Sequence, residues 1–127
     1  MMKILISVLT IAAFINLSFT NPAPSNDEPA VKWDKTTHDF GKIQHKKPVK
    51  AVFLFTNQTT HPIIIIQVEP TCGCTAPKYD EHPILPGQQG KIEVTYDAMS
   101  RGVFHKKILV KMDVGNFSVF VKGQVID

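Results

Sequence analysis

The sequence predicts an all-β domain built as a two-sheet sandwich. Three observations carry that expectation. Short apolar segments alternate with a period of two, turn-forming residues recur between them, and no stretch after the N-terminal apolar run has a helical period. The first clear strand runs from Lys50 to Phe55 and ends at the polar turn cluster Thr56-Asn57-Gln58-Thr59-Thr60. Ile63 to Ile66 is a continuous apolar run, the pattern of a strand covered on both faces. Pro86-Gly87 marks a turn. Ile92, Val94 and Tyr96 then alternate with Lys91, Glu93 and Thr95, a half-buried strand. Ile108, Val110 and Met112 alternate with Lys107 and Lys111, and Gly115-Asn116 reads as a two-residue hairpin turn into Phe117-Ser118-Val119-Phe120-Val121. A closed barrel is the alternative arrangement of these strands.

A sandwich buries alternate side chains between sheets about 10 Å apart. The bulky candidates for that layer are Trp33, Phe40, Phe53, Phe55, Tyr96, Phe104, Phe117 and Phe120. Each such side chain, fully buried, contributes about 1.5–3 kcal/mol. A core of this size needs no disulfide staple.

The N-terminus reads as an export signal over residues 1–20. Lys3 precedes an apolar run from Ile4 to Ile15, about the length of a signal core and shorter than the roughly 20 residues a spanning helix needs. Ser18 and Thr20 fit a cut before Asn21, and an uncleaved anchor is the alternative. With no cysteine near that junction, no lipid attachment is expected there. Residues 21–30, with Pro22, Pro24 and Pro29, read as a linker, and residues 31–127 as one domain. After cleavage no membrane span is expected.

Charge excludes one class of partner. The 14 basic and 11 acidic residues of the whole chain fall to 13 and 11 without Lys3. That balance is too weak for a nucleic-acid or anionic-membrane surface, and the lysines are spread along the chain as on any solvated exterior.

The chemistry in this sequence is concentrated in its only two cysteines, in Pro70-Thr71-Cys72-Gly73-Cys74-Thr75. Residues two apart in an extended chain share a face, and a mild bend brings their Cα atoms into disulfide range. Gly73 can adopt angles other residues avoid. Three readings stay open: a structural disulfide, as expected after export; a redox-active dithiol, for which Lys78 and His82 are the nearest electropositive residues in sequence; and a soft-metal site for Cu(I) or Zn. The metal reading would need further ligands from His38, His45, His61, His82 or His105, none of which forms a ligand pair by spacing. Taken singly, each reads as a surface or turn histidine, and Met99 and Met112 as packing. No cofactor is expected. No nucleophile elbow surrounds Ser25, Ser100 or Ser118, Asp80 and Glu81 read as solvated loop carboxylates, and no phosphate loop or His-Glu-x-x-His motif occurs.

The order of short motifs carries a resemblance. His38-Asp39-Phe40-Gly41-Lys42-Ile43 is followed by Phe53-Leu54-Phe55-Thr56-Asn57, the Cys-Gly-Cys-Thr block, Leu85-Pro86-Gly87 and Lys91-Ile92-Glu93-Val94-Thr95-Tyr96. Together they resemble a family of exported bacterial proteins known as domain of unknown function 1573, related to the immunoglobulin-like ASH and PapD-like domains. The resemblance spans roughly Val31 to Val125. It implies an immunoglobulin-like antiparallel β-sandwich of about seven strands, export to the periplasm or beyond, and no established activity. Where that family often has a serine-asparagine pair after the penultimate strand, this chain reads Lys111-Met112-Asp113-Val114, so that pair's contact is not carried over. The resulting expectation is an exported, non-enzymatic binding or scaffolding domain with a protein partner in the cell envelope, docked on an edge strand. The alternative is a thiol-disulfide or copper-handling protein acting through Cys72 and Cys74, with Pro70, Thr71, Gly73 and Thr75 shaping their loop.

Overall fold

The computed structural model describes residues 28–127 together with Ser18. The expected signal at 1–20, Ser18 apart, and the linker up to residue 27 lie outside the described residues. No helix among the described residues is long and apolar enough to cross a membrane.

Eight strands follow one another as β1 (Val31–Trp33), β2 (Thr37–Gln44), β3 (Val49–Asn57), β4 (Ile65–Pro70), β5 (Thr75–Tyr79), β6 (Gln89–Tyr96), β7 (Gly102–Met112) and β8 (Gly115–Ile126). They form two four-stranded sheets, ordered β1-β3-β6-β5 and β2-β8-β7-β4. The sandwich and its immunoglobulin-like class are as the sequence predicts. The chain changes sheet from β1 to β2 along one side, and from β4 to β5 along the other. One pair departs from the antiparallel expectation: β2 crosses from the first sheet and joins β8 in parallel.

The core is the layer that alternation picks out. Phe53, Phe55, Ile92, Val94, Ile108, Val110, Val119 and Val121 are fully buried. Tyr96 stacks on Phe104 with ring centroids 4.0 Å apart. Burial, reinforced by Asp97, pushes the Tyr96 hydroxyl pKa up. Trp33 sits 5.2 Å from Phe55 and 6.1 Å from Phe117, half-buried at the margin, as are Phe40 and Phe117. Phe120 is not in the core. Val119 and Val121 take the inward positions, so period two turns Phe120 outward, where it packs against His105 with centroids 5.3 Å apart.

Two local expectations are corrected. The Ile63–Ile66 run is not covered on both faces, because β4 starts only at Ile65 and a two-sheet sandwich leaves the outer face of each sheet to solvent. Ile63 and Ile65 are buried, while Ile64 and Ile66 are 44% and 61% exposed. The β7–β8 turn is Asp113-Val114 rather than Gly115-Asn116, since Met112 pairs with Gly115. Neither turn residue has a positive φ; that conformation comes one residue later, at Gly115 (φ 141°). Asp113 also ties the turn to β4. Its Oδ1 accepts the Ile64 N–H at 3.2 Å and its own N–H donates to the Ile64 carbonyl at 3.1 Å.

Lys46, in the β2–β3 loop, is exposed and left-handed (φ 61°), and its N–H donates to the Ala98 carbonyl at 2.9 Å. A side chain in that conformation costs about 1–2 kcal/mol, and glycine avoids most of it while losing more chain entropy on folding. Lys46→Gly is therefore expected to raise stability by about 0.5–1 kcal/mol and Lys46→Val to lower it, read as shifts in urea midpoint at unchanged slope.

Candidate functional site

The cysteine loop forms the corner where the chain leaves β4 and enters β5. Backbone hydrogen bonds fix it from both sides. The Thr71 N–H donates to the Lys107 carbonyl at 3.2 Å, adding a last rung to the β4–β7 ladder. The Cys74 carbonyl accepts the Asp97 N–H at 3.0 Å, at the start of β5–β6 pairing. Within the corner, the Cys72 carbonyl accepts the N–H of Thr75 at 3.5 Å and its Oγ1 at 3.4 Å. Thr75 is 5% exposed, so its hydroxyl needs that partner. The Cys72 and Cys74 sulfurs are bonded, with Cα atoms 5.3 Å apart. Cys74 packs against the core, whereas Cys72 does not.

Gly73 does not use the freedom the sequence offered it. It has no positive φ, and a Cβ there would meet nothing within 4 Å. Pro70, Thr71, Gly73 and Thr75 are all at the corner, as expected. The electropositive neighbours are not those nearest in sequence. Lys107 is bonded through its carbonyl to Thr71, beyond the last strand pair Pro70–Ile108, and Lys106 precedes it in β7. Nothing local in the sequence signals this, because the two segments lie more than 30 residues apart.

The histidines do not converge on the cysteines. No group of three or more His, Cys, Asp or Glu side chains placed to hold a metal occurs among the described residues. His45 bonds the Met99 carbonyl at 3.0 Å, and His61 Nδ1 lies 3.2 Å from the Pro62 carbonyl. His38 stacks edge-on to Phe40 and accepts from Lys35 Nζ at 2.6 Å. Burial first, and then Lys35, pushes the His38 pKa down, against an opposing pull from Asp39. His82 is exposed. An open groove of about 420 Å³ lies over the β2 bulge on the far side of the second sheet, lined by Asp39, Lys42, Val103, His105 and Lys122. It does not include the corner residues, and its carboxylate is engaged: Asp39 Oδ1 accepts the Gly41 N–H at 2.8 Å.

The corner terminates an edge strand, and the four sheet edges differ. β1 has three residues. On β5 the outward-facing positions are Thr75, whose N–H is taken by Cys72, Pro77, which has none, and Tyr79 at the strand's end. β2 carries Asp39 and Lys42 and a bulge between them, devices that blunt an edge. β4 has no charge from Ile64 to Val68, and its Glu69 is neutralised by Lys111 Nζ at 3.1 Å. The Thr71–Lys107 rung sets the alternation along β4. Gln67 and Glu69 bond towards β7, while the outward positions are Val68, with an N–H and a carbonyl, and Pro70, with a carbonyl alone; a register shift lies between Ile65 and Gln67.

Comparison with known proteins agrees with this architecture. A crystal structure of a protein of unknown function from Porphyromonas gingivalis W83 superposes with a TM-score of 0.66 at 16% identity, over 75% of this chain and 46% of that one. This chain therefore spans about half the length of that relative. The ASH/PapD-like domain 7 of human CEP192 superposes with a TM-score of 0.64 at 12% identity, over 87% and 96% of the two chains. WR4, an MSP family member of C. elegans, gives 0.55 at 9% identity, over 77% and 99%. At these identities the likeness is one of fold. No curated protein matches by sequence. The family model described as "Protein of unknown function (DUF1573)" matches residues 31–125, from the first residue of β1 to the penultimate residue of β8, and the chain belongs to that family.

Proposed function

We propose that this is an exported binding domain of the bacterial cell envelope, periplasmic or extracellular, whose partner is a protein and whose docking surface is the β4 edge with the adjoining corner. The observation that supports this most is the contrast among edges. β1 is short, β2 is charged and bulged, and β5 and β4 each carry a proline at an outward position, but β4 alone is uncharged from Ile64 to Val68 and sets two large exposed apolar side chains, Ile64 and Ile66, beside its edge. An extended segment added to such an edge gains main-chain hydrogen bonds for affinity and side-chain contacts for selectivity. Export comes from the leader pattern at 1–20 and from the family resemblance.

Ile66→Lys tests the reading. It places a charge where natural edges carry one to repel added strands, at a side chain that is exposed in the free domain. Burying Ile66 against a partner is worth about 1.5–3 kcal/mol, so the variant is expected to weaken partner recovery from envelope extracts roughly tenfold or more, with an unchanged melting temperature. Val52→Lys, an equally conservative change on the outer face of the other sheet, should leave recovery intact. Equal recovery with Ile66→Lys and wild type would remove β4 from the binding model.

A further inference from the structure

We infer that the corner is a thiol–disulfide exchange site, with Cys72 as the exchanging sulfur and a cysteine-bearing extended segment of another protein as its substrate. This rests on the β4 docking reading and adds a chemistry to it. The two cysteines are unequal. Cys74 is packed against the core and is followed by buried Thr75, while Cys72 lies outside that packing and continues the open edge. Thr71 makes the last backbone bond to β7, and Cys72 follows it directly at the end of the open edge. A strand added along β4 therefore ends beside Cys72.

The corner keeps its shape without the sulfur–sulfur bond. Thr75 holds the Cys72 carbonyl, Asp97 holds the Cys74 carbonyl, and the Thr71 N–H is anchored on Lys107. A bridge across a single residue closes almost no chain, so it adds little stability through the unfolded state. None of these hydrogen bonds runs through a sulfur, so the backbone would hold two thiols in place after the bond opened. Lys107, whose carbonyl anchors Thr71, and its neighbour Lys106 put positive residues on the strand beside the corner, and nearby positive charge favours a thiolate.

The step balances within the pair and its substrate. A substrate thiolate attacks Cys72 Sγ; the Cys72–Cys74 bond breaks, and its electron pair leaves on Cys74, which takes up a proton. A second substrate thiolate then attacks the substrate sulfur of the mixed disulfide, and Cys72 leaves as a thiolate that takes up the second proton. The substrate dithiol is oxidised by two electrons to a disulfide, and Cys72 and Cys74 are reduced, once per domain.

The full exported chain, oxidised, is incubated with a reduced synthetic peptide of alternating valine and threonine that carries two cysteines, then acid-quenched for intact mass. The expected result is a peptide lighter by two hydrogens and a protein heavier by two. Cys74→Ser, which leaves Cys72 free, should capture the oxidised peptide as a mixed disulfide roughly tenfold faster than Cys72→Ser. Ile66→Lys should slow exchange with the peptide, and Val52→Lys, on the outer face of the other sheet, should not. A bridge that stays intact against the peptide dithiol overturns the exchange site, and equal capture by the two serine variants overturns the assignment to Cys72. Exchange that proceeds as described but ignores Ile66→Lys overturns the β4 docking reading alone.

Discussion

Asn57→Asp is expected to destabilise the domain by about 3–5 kcal/mol at neutral pH, although it replaces one group of atoms by another of the same size. Asn57, at the end of β3, is 1% exposed. Its Nδ2 donates to the His61 carbonyl at 2.8 Å and to the Ile84 carbonyl at 2.9 Å. Its Oδ1 accepts the Thr59 N–H at 2.8 Å and the Thr59 hydroxyl at 2.7 Å. The same residue bonds through its backbone to Gln88 and Gly87. All four side-chain bonding positions are thus used, and they join the β3–β4 loop to the loop before β6. An ionised carboxylate would set a negative oxygen against two carbonyls and leave both without a donor. A protonated one restores a single donor. Each buried group left unpaired costs about 1–3 kcal/mol. Burial raises the folded-state pKa of the new carboxyl, so the variant's loss should grow as pH rises through that value and shrink as pH falls. Urea unfolding at pH 5 and pH 8 measures both. A loss under about 1 kcal/mol at pH 8 would show that the hub does not hold these loops together.

That hub shows where sequence reading stops. Thr56 to Thr60 has the composition of a solvated turn, and locally it is one. What makes Asn57 a buried anchor is Ile84, 27 residues later, and no local pattern announces that partner. The strands themselves were legible, because burial of alternate residues is written directly into β6, β7 and β8. Neighbour choice was not. The run Ile63–Ile66 looks doubly covered until the two-sheet architecture leaves the outer face bare and Ile64 and Ile66 in solvent. The candidate site divides the same way. Cys72 and Cys74 stand out by type and spacing. Their inequality does not, since it comes from core packing behind Cys74 and from a β7 ladder that brings Lys106 and Lys107 to the corner.

The same non-local logic governs two glycines that read as unremarkable strand residues. Gly90 in β6 lies opposite Phe55 in β3, and Gly123 in β8 opposite Phe104 in β7. In each sheet an aromatic ring covers the backbone of the glycine across from it, filling space that any side chain there would occupy. A Cβ on Gly123 would lie 2.8 Å from the Gly41 carbonyl and 2.9 Å from Phe104 Cζ. One on Gly90 would overlap the Phe55 ring at Cζ and approach its Cε2 to 2.9 Å. Phe55 is fully buried and backed by Trp33, so the ring has nowhere to retreat. Gly90→Ala is therefore expected to cost about 3 kcal/mol, at the upper end for overpacking. Gly73→Ala, where a Cβ meets nothing and φ is not positive, should change stability by no more than about 0.5 kcal/mol and serves as the control. Shortening the ring separates collision from any loss of backbone freedom. Phe55→Leu destabilises alone by opening a cavity, but combined with Gly90→Ala it should recover about 1 kcal/mol or more in a double-mutant cycle. Additive losses would mean that Phe55 is not what keeps position 90 a glycine.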